Sequence, residues 1–302
     1  MRALVTGASG FTGRHLVQWL HTCGCEVFSL GRTRVPDVTH LQLEDIHDFE
    51  QILASVRIAN PDYLFHLAGT SIAGNLAEIF DVNVIYGANL LAALDAEGLA
   101  GKTRVMIMGS AAEYGVVSEK DMPISESMSS NPYNYYGISK LAQTQMALAW
   151  GCEDRRVVVV RPFTIMGPGM PTHLAIGDFV EQIRSAIGSG GNGELVTGNL
   201  NVSRDFLHVG DAVELCWRLA NTNEAFGRVV NLCSGQPLKL QSMVEYLLQL
   251  TDCKISLKQS EDRMRHIDMK THYGDNTRLI DLVGAFQFTP WRVSLKQILE
   301  RL

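Results

Sequence analysis

Ala3-Leu4-Val5-Thr6-Gly7-Ala8-Ser9-Gly10-Phe11-Thr12-Gly13 lies almost at the start of the chain, and its reading decides the fold. A short apolar run meets glycines at the spacing Gly7-x-x-Gly10-x-x-Gly13, and a helix-period segment follows from Arg14. In a strand-to-helix turn each glycine has its own task. Gly7 can turn with positive φ, Gly10 lets backbone approach a pyrophosphate, and Gly13 lets the helix pack against the sheet. The helix N-terminus, with Phe11 and Thr12 in its first turn, then presents free N–H groups to phosphate oxygens. The spacing departs by one residue from the G-x-G-x-x-G fingerprint, so the turn alone is also compatible with an ordinary glycine-rich loop.

Working outward, short apolar runs at 3–6, 27–30, 40–43, 63–67, 105–108 and 157–160 alternate with helix-rich stretches at 14–22, 49–58, 75–97 and 136–151. Uninterrupted apolar strands separated by helices predict a parallel sheet covered on both faces. The fold class is therefore α/β, a doubly wound parallel-sheet Rossmann fold with a smaller C-terminal substrate-binding portion. The expected division is 1–165 for dinucleotide binding, with returning segments near 201–235, and 166–302 mainly for substrate. In the second portion the pattern predicts helices over 178–187, 211–220 and 240–250, a strand over 228–232, a surface turn at 188–193, and irregular charged segments.

With 302 residues, 46% apolar and 19% charged, the chain can bury a substantial core. The net charge is 26 − 32 = −6, without a basic stripe, which argues against a nucleic-acid partner. Six scattered cysteines read as reduced thiols rather than a disulfide framework. No His-Glu-x-x-His or His-x-His pattern suggests a metal. The expected setting is cytoplasmic, with no signal-peptide layout and no apolar run near membrane-spanning length.

The chemistry is carried by Tyr136-Gly137-Ile138-Ser139-Lys140. Residues four apart share a helix face, so the Lys140 ammonium can stabilise the Tyr136 phenolate and bring its pKa below the usual value near 10. Ser110, following the strand at 105–108, falls at the carboxyl edge of the sheet, where open α/β folds bind ligands. Its hydroxyl could hold a substrate carbonyl while Tyr136 delivers the proton. Arg32 follows the second strand, where an NAD enzyme usually has Asp or Glu. It can pair with a 2′-phosphate, so NADP(H) is the expected cofactor, with NAD(H) as the alternative. Asp45, beside Ile46, could meet an adenine amino group or cap the next helix.

These residues resemble the extended short-chain dehydrogenase/reductases acting on nucleotide sugars. The resemblance runs through the glycine turn, His66-Leu67-Ala68-Gly69, Asn83, Ser110-Ala111-Ala112-Glu113-Tyr114-Gly115 and Tyr136-x-x-x-Lys140. It continues in Arg161-Pro162-Phe163, Gly167-Pro168-Gly169, Ser203-Arg204-Asp205-Phe206 and Asn231-Leu232-Cys233-Ser234-Gly235. Within that group it is similar to the GDP-4-keto-6-deoxy-D-mannose reductases, through the Ser110–Gly115 loop, Thr197-Gly198-Asn199-Leu200 and Arg263-Met264-Arg265. The resemblance implies Ser110, Tyr136 and Lys140 as a catalytic trio with Glu113 as helper. It implies cofactor contacts at Leu67, Ala68, Gly69, Asn83 and Pro162. It also implies a sugar-nucleotide diphosphate gripped by Arg204 and Arg265, and a homodimer built on the helices at 75–97 and 136–151.

Two departures matter. Thr164 stands where relatives carry an Asn that contacts substrate phosphate. Ala111 and Ala112 stand where the dehydratases place an acid, so elimination of water lacks its proton shuttle. The expected function is NADPH-dependent reduction of a nucleotide-linked 4-keto-6-deoxy sugar, with GDP as the nucleotide and a product such as GDP-D-rhamnose. A nucleotide-sugar 4-epimerase with tightly held NAD is the alternative, and a non-catalytic NADP-binding protein a third.

Overall fold

The computed structural model describes residues 1–72, 74–152, 155–251, 253–264 and 267–301. The first half runs β1 (Arg2–Thr6), α1 (Phe11–Thr22), β2 (Glu26–Gly31), β3 (Thr39–Gln42), α2 (Phe49–Ala59) and β4 (Tyr63–His66). It continues through α3 (Leu76–Phe80), a π turn (Asp81–Ile85), α4 (Tyr86–Ala96), β5 (Arg104–Met108), α5 (Tyr135–Gly151) and β6 (Val157–Pro162). The second half comprises β7 (Thr164–Met166), α6 (Ala175–Gly188), β8 (Asn192–Thr197), β9 (Ser203–His208), α7 (Val209–Ala220) and β10 (Arg228–Leu232). It ends with β11 (Pro237–Lys239), α8 (Leu240–Gln249), β12 (Lys254–Gln259), β13 (Thr271–His272), α9 (Thr277–Val283) and α10 (Trp291–Arg301).

Seven strands form one parallel sheet in the order β10-β6-β5-β4-β1-β2-β3. The direction of winding reverses between β1 and β4, which opens a crevice outside their carboxyl ends. β4 is buried along its whole length and β6 over five of its six residues, as strands covered on both faces must be. One face packs Leu16 and Leu20 of α1 with Leu215 and Leu219 of α7 and Leu279 of α9. The other packs Ile52 and Val56 of α2 with Leu90 and Leu94 of α4 and Ala147 of α5. Thus α7, β10 and also α9 return to the first sheet from the second half of the chain.

Helix boundaries follow local chemistry. The Asp48 carboxylate accepts from Gln51 N at 2.9 Å to start α2, and Asn60 ends it in the left-handed region at φ 37°. The Asn134 side chain accepts from Gly137 N at 2.8 Å and starts α5, which fixes the rotation of the helix bearing Tyr136 and Lys140.

The smaller portion has its own core, including Met166, Phe179, Ile183, Leu195, Met243 and Leu247. β9 is its hub, paired with β7, β11 and β13, while β8 and β12 form a separate parallel pair. Beyond residue 250, where irregular structure is expected, β12 and α10 form instead. β12 is mostly exposed, so its apolar alternation is faint, and α10 buries Leu295 and Ile298 on one face. A second correction concerns apolar length. The helical run Leu76–Ala96 has the length and apolarity to cross a membrane, but it contains the buried Asn83 and packs against α2 and α5.

Candidate active site

Both sides of the crevice are built by backbone. A Cβ at Gly7 (φ 67°) would stand 2.7 Å from Ala68 N, in the loop after β4, and one at Gly13 only 2.1 Å from Gly7 O. A side chain at Gly7 would push the two loops apart, and one at Gly13 would push α1 away from its own glycine turn. α1 starts at Gly10 without a side-chain cap and has no acidic residue in its first turn, so its N–H groups and positive dipole end face the crevice uncompensated. The close-packed glycine cradle and the uncapped helix fit a dinucleotide pyrophosphate. Gly7, Gly10, Phe11, Thr12 and Gly13 would hold it, and bound NADP(H) would supply hydride.

The adjoining cavity, about 200 Å³, is lined by Thr12, Leu67, Gly69, Tyr136, Lys140 and Pro162 among others. Six residues named from the sequence therefore share one small space. Thr70, Ser71, Met108, Gly109 and Ile165 complete it; the sequence reading missed them because they lie on loops and strand ends without motif spacing. Ala68 contributes backbone, its N–H donating to Thr6 Oγ1 at 3.3 Å.

Ser110 caps the short 3₁₀ turn Ala111–Tyr114, accepting from Ala112 N at 3.1 Å, and its side chain is close enough to Tyr136 to influence the phenol. Burial pushes the Tyr136 phenol above its ordinary pKa; Ser110 opposes this, and the negative charge of Glu113 adds to it. The expectation that Lys140 lowers this pKa is not met here. The Lys140 ammonium instead donates to Gln143 Oε1 at 2.7 Å, one turn further along α5. Burial brings Lys140 down to about 8, with Glu113 acting in the opposite direction.

Glu113 and Asn83 occupy places other than those expected. Glu113 is fully buried. It accepts from Ser110 N at 2.9 Å, Thr144 Oγ1 at 3.0 Å and Arg161 Nε at 2.7 Å, so its carboxylate anchors the Ser110 turn rather than facing substrate. Burial raises its carboxyl pKa, and the Arg161 guanidinium opposes that shift. Asn83, inside the π turn, accepts from Thr70 N at 2.8 Å and donates to Thr70 O and Ser139 Oγ, both at 2.9 Å. It ties the Gly69–Thr70 loop to α5 from behind, and π turns commonly mark such functional places. His66, also fully buried, pairs its Nδ1 with Thr6 Oγ1 at 2.7 Å, and burial lowers its pKa to about 3.

Arg32 is exposed just past β2, with its carbonyl accepting from Gln42 Nε2 at 3.1 Å. Asp45 is not the helix cap. Its carboxylate accepts from His47 N at 2.9 Å within a turn, Asp48 takes the cap, and Ile46 O accepts from Asn89 at 2.9 Å.

A larger cavity, about 470 Å³, lies over the second portion and includes Thr164, Arg204 and Phe206 in its wall. β7 separates the two spaces: Thr164 faces the large one and Ile165 the small one. Arg204 is already engaged, donating to Asp268 Oδ1 at 2.6 Å, Met269 O at 2.7 Å and Ser203 O at 2.8 Å. Arg265 lies outside the described residues. Arg263, quoted from sequence only as part of Arg263-Met264-Arg265, pairs with Asp178 in the same wall; Asp178 and Asp268 were not singled out from sequence, because their meetings depend on tertiary contact.

The model of the NAD dependent epimerase/dehydratase family matches residues 3–233. The chain belongs to that family. Among its members, the chain is 34% identical to GDP-6-deoxy-D-mannose reductase of Pseudomonas aeruginosa over 304 residues, covering 99% of this chain and 96% of that protein. It is 27% identical to GDP-6-deoxy-D-talose 4-dehydrogenase of Aggregatibacter actinomycetemcomitans, covering 99% and 97%. The structure of RMD from Pseudomonas aeruginosa complexed with NADPH superposes with a TM-score of 0.86 at 30% identity, covering 100% of this chain and 98% of that one. For a member of this epimerase/dehydratase family, the absence of acid at Ala111 and Ala112 is notable. Both positions are alanine in the 3₁₀ turn capped by Ser110.

Proposed function

We propose that this protein reduces the C4 carbonyl of a GDP-linked 4-keto-6-deoxyhexose with NADPH. The observation that carries this reading is that Tyr136 and Lys140 line a small cavity that shares β7, through Ile165 and Thr164, with one of about 470 Å³. The names of the two relatives, both concerned with GDP-6-deoxyhexoses, support the nucleotide and the sugar class. In the proposed roles, Ser110 holds the substrate carbonyl oxygen, Tyr136 gives it a proton, and Lys140 holds the cofactor ribose. The protonated Tyr136 phenol suits a proton donor, which reduction needs. Arg32, exposed just past β2, would pair with a 2′-phosphate, which supports NADPH over NADH. Thr164 and Arg204 would meet the substrate, the arginine exchanging part of its contact with Asp268 for a diphosphate. We further expect a cytoplasmic homodimer.

The test is a panel of nucleotide keto-sugars with NADPH and NADH, the products identified by mass and NMR. Stoichiometric NADPH consumption with GDP-4-keto-6-deoxy-D-mannose supports the reading. Tightly held NAD with interconversion of UDP-hexoses and no net cofactor loss would replace it with the epimerase.

A further inference from the structure

Gln143 lies on the same face of α5 as Lys140, and both side chains are buried. Its amide oxygen accepts from the Lys140 ammonium at 2.7 Å, and its Nε2 has no partner among the described residues. The orientation is forced, because an ammonium only donates and must face the oxygen. An unpaired buried amide donor opposes folding, and a methionine of similar volume would fill the space without it. What the glutamine supplies that a methionine would not is the oxygen that accepts from Lys140.

We propose that Gln143 is a positioning residue that holds the Lys140 ammonium charged and directed at the floor of the small cavity. One of three donors is taken by the glutamine, and the others can meet a ligand beside Gly69, where an added Cβ would stand 3.4 Å from the lysine nitrogen. A neutral acceptor matters here. A glutamate in its place would raise the lysine's pKa and draw its ammonium into an ion pair, away from a ligand beside Gly69. The charged and titratable groups around Lys140 are few. Glu113, from the turn after β5, is paired with Arg161 of β6. His66 of β4 has Tyr86 of α4 edge-on against its ring, and Tyr136 is on α5 itself. Glu78 of α3 bonds Gly74 N, and Asp81 of the π turn faces His47.

This inference rests on Lys140 serving the cofactor, but its test is made on the cofactor-free protein. The full-length chain and its Gln143→Glu and Gln143→Met variants are pulse-labelled with acetic anhydride across pH 6–11, and acetylation of Lys140 is followed by peptide mass spectrometry. The expected midpoint of the wild type is near 8. It should rise by about one unit or more in Gln143→Glu, where an opposite charge is added. It should fall in Gln143→Met, with NADPH affinity by fluorescence weakened about tenfold. Thermal melts check that each variant folds, and Gln143→Glu, of equal size, decides the matter if the methionine variant does not. Midpoints that coincide in folded wild type and Gln143→Glu overturn the proposal. A wild type that fails to bind NADPH overturns the cofactor reading instead.

Discussion

Replacing Glu113 by Gln removes one charge from a buried pair whose side chains are 0% and 4% exposed. The amide oxygen can still accept from Ser110 N and Thr144, but an NH₂ group would then face the Arg161 Nε–H. Breaking a buried ion pair from one side costs about 3–5 kcal/mol, because the other charge stays buried. Arg161 keeps its bond to Ser130 Oγ at 3.1 Å and its place over the Tyr114 ring at 4.6 Å, which points to the lower end, about 3 kcal/mol. For a chain of this size that corresponds to a fall in Tm of roughly 5 °C. The assay is a thermal melt at pH 7 followed by circular dichroism, run beside the double variant Glu113→Gln, Arg161→Met, which should recover part of the loss. A Tm within about 2 °C of the wild type would refute the reasoning, using the same size scale. Loss of turnover without loss of stability would restore Glu113 to a direct part in proton transfer.

Gly7→Ala should abolish NADPH binding measured by fluorescence quenching, since its Cβ meets the Ala68 backbone at 2.7 Å; undiminished binding would contradict the cradle. Tyr136→Phe should lower kcat by about 10²–10⁴, the usual range for a lost general acid, with NADPH affinity little changed. Arg32→Asp should reduce the preference for NADPH over NADH at least tenfold in kcat/KM, by about the strength of one charge-assisted bond. Acid should destabilise the fold. His66 and His272 are held near 3 and 4 by burial, below the unfolded value of 6.5, so their contribution is present above 6.5 and lost as pH falls toward the folded values. Each adds up to about 1.4 kcal/mol per pH unit, and Tm measured from pH 7 to 4 should fall less steeply in His66→Asn.

The sheet was legible because its strands carry unbroken apolar runs, and the glycine turn because backbone packing against Ala68 tolerates no side chain. That Tyr136 and Lys140 share a helix was legible from their spacing, read together with the glycine turn and Ser110. What was not legible depends on meetings distant in sequence. Asn83 joins Thr70 to Ser139 only because the π turn rotates it inward, and Glu113 meets Arg161 across 48 positions. Lys140 has two suitors on its own helix, and spacing does not say that it turns to Gln143. In the second portion, β7, β11 and β13 have three, three and two residues, too short to show a period.

β7 contributes to both cavities through consecutive residues, Thr164 lining the large one and Ile165 the small one. If the large cavity takes the substrate and the small one the nicotinamide, as proposed, substrate choice and hydride chemistry fall to alternate letters of one three-residue word. A change at Thr164 can retune which sugar nucleotide is admitted while Ile165 keeps the reducing chamber intact, and the reverse holds as well. Selection, or a designer, can diversify one specification of this enzyme without rewriting the other.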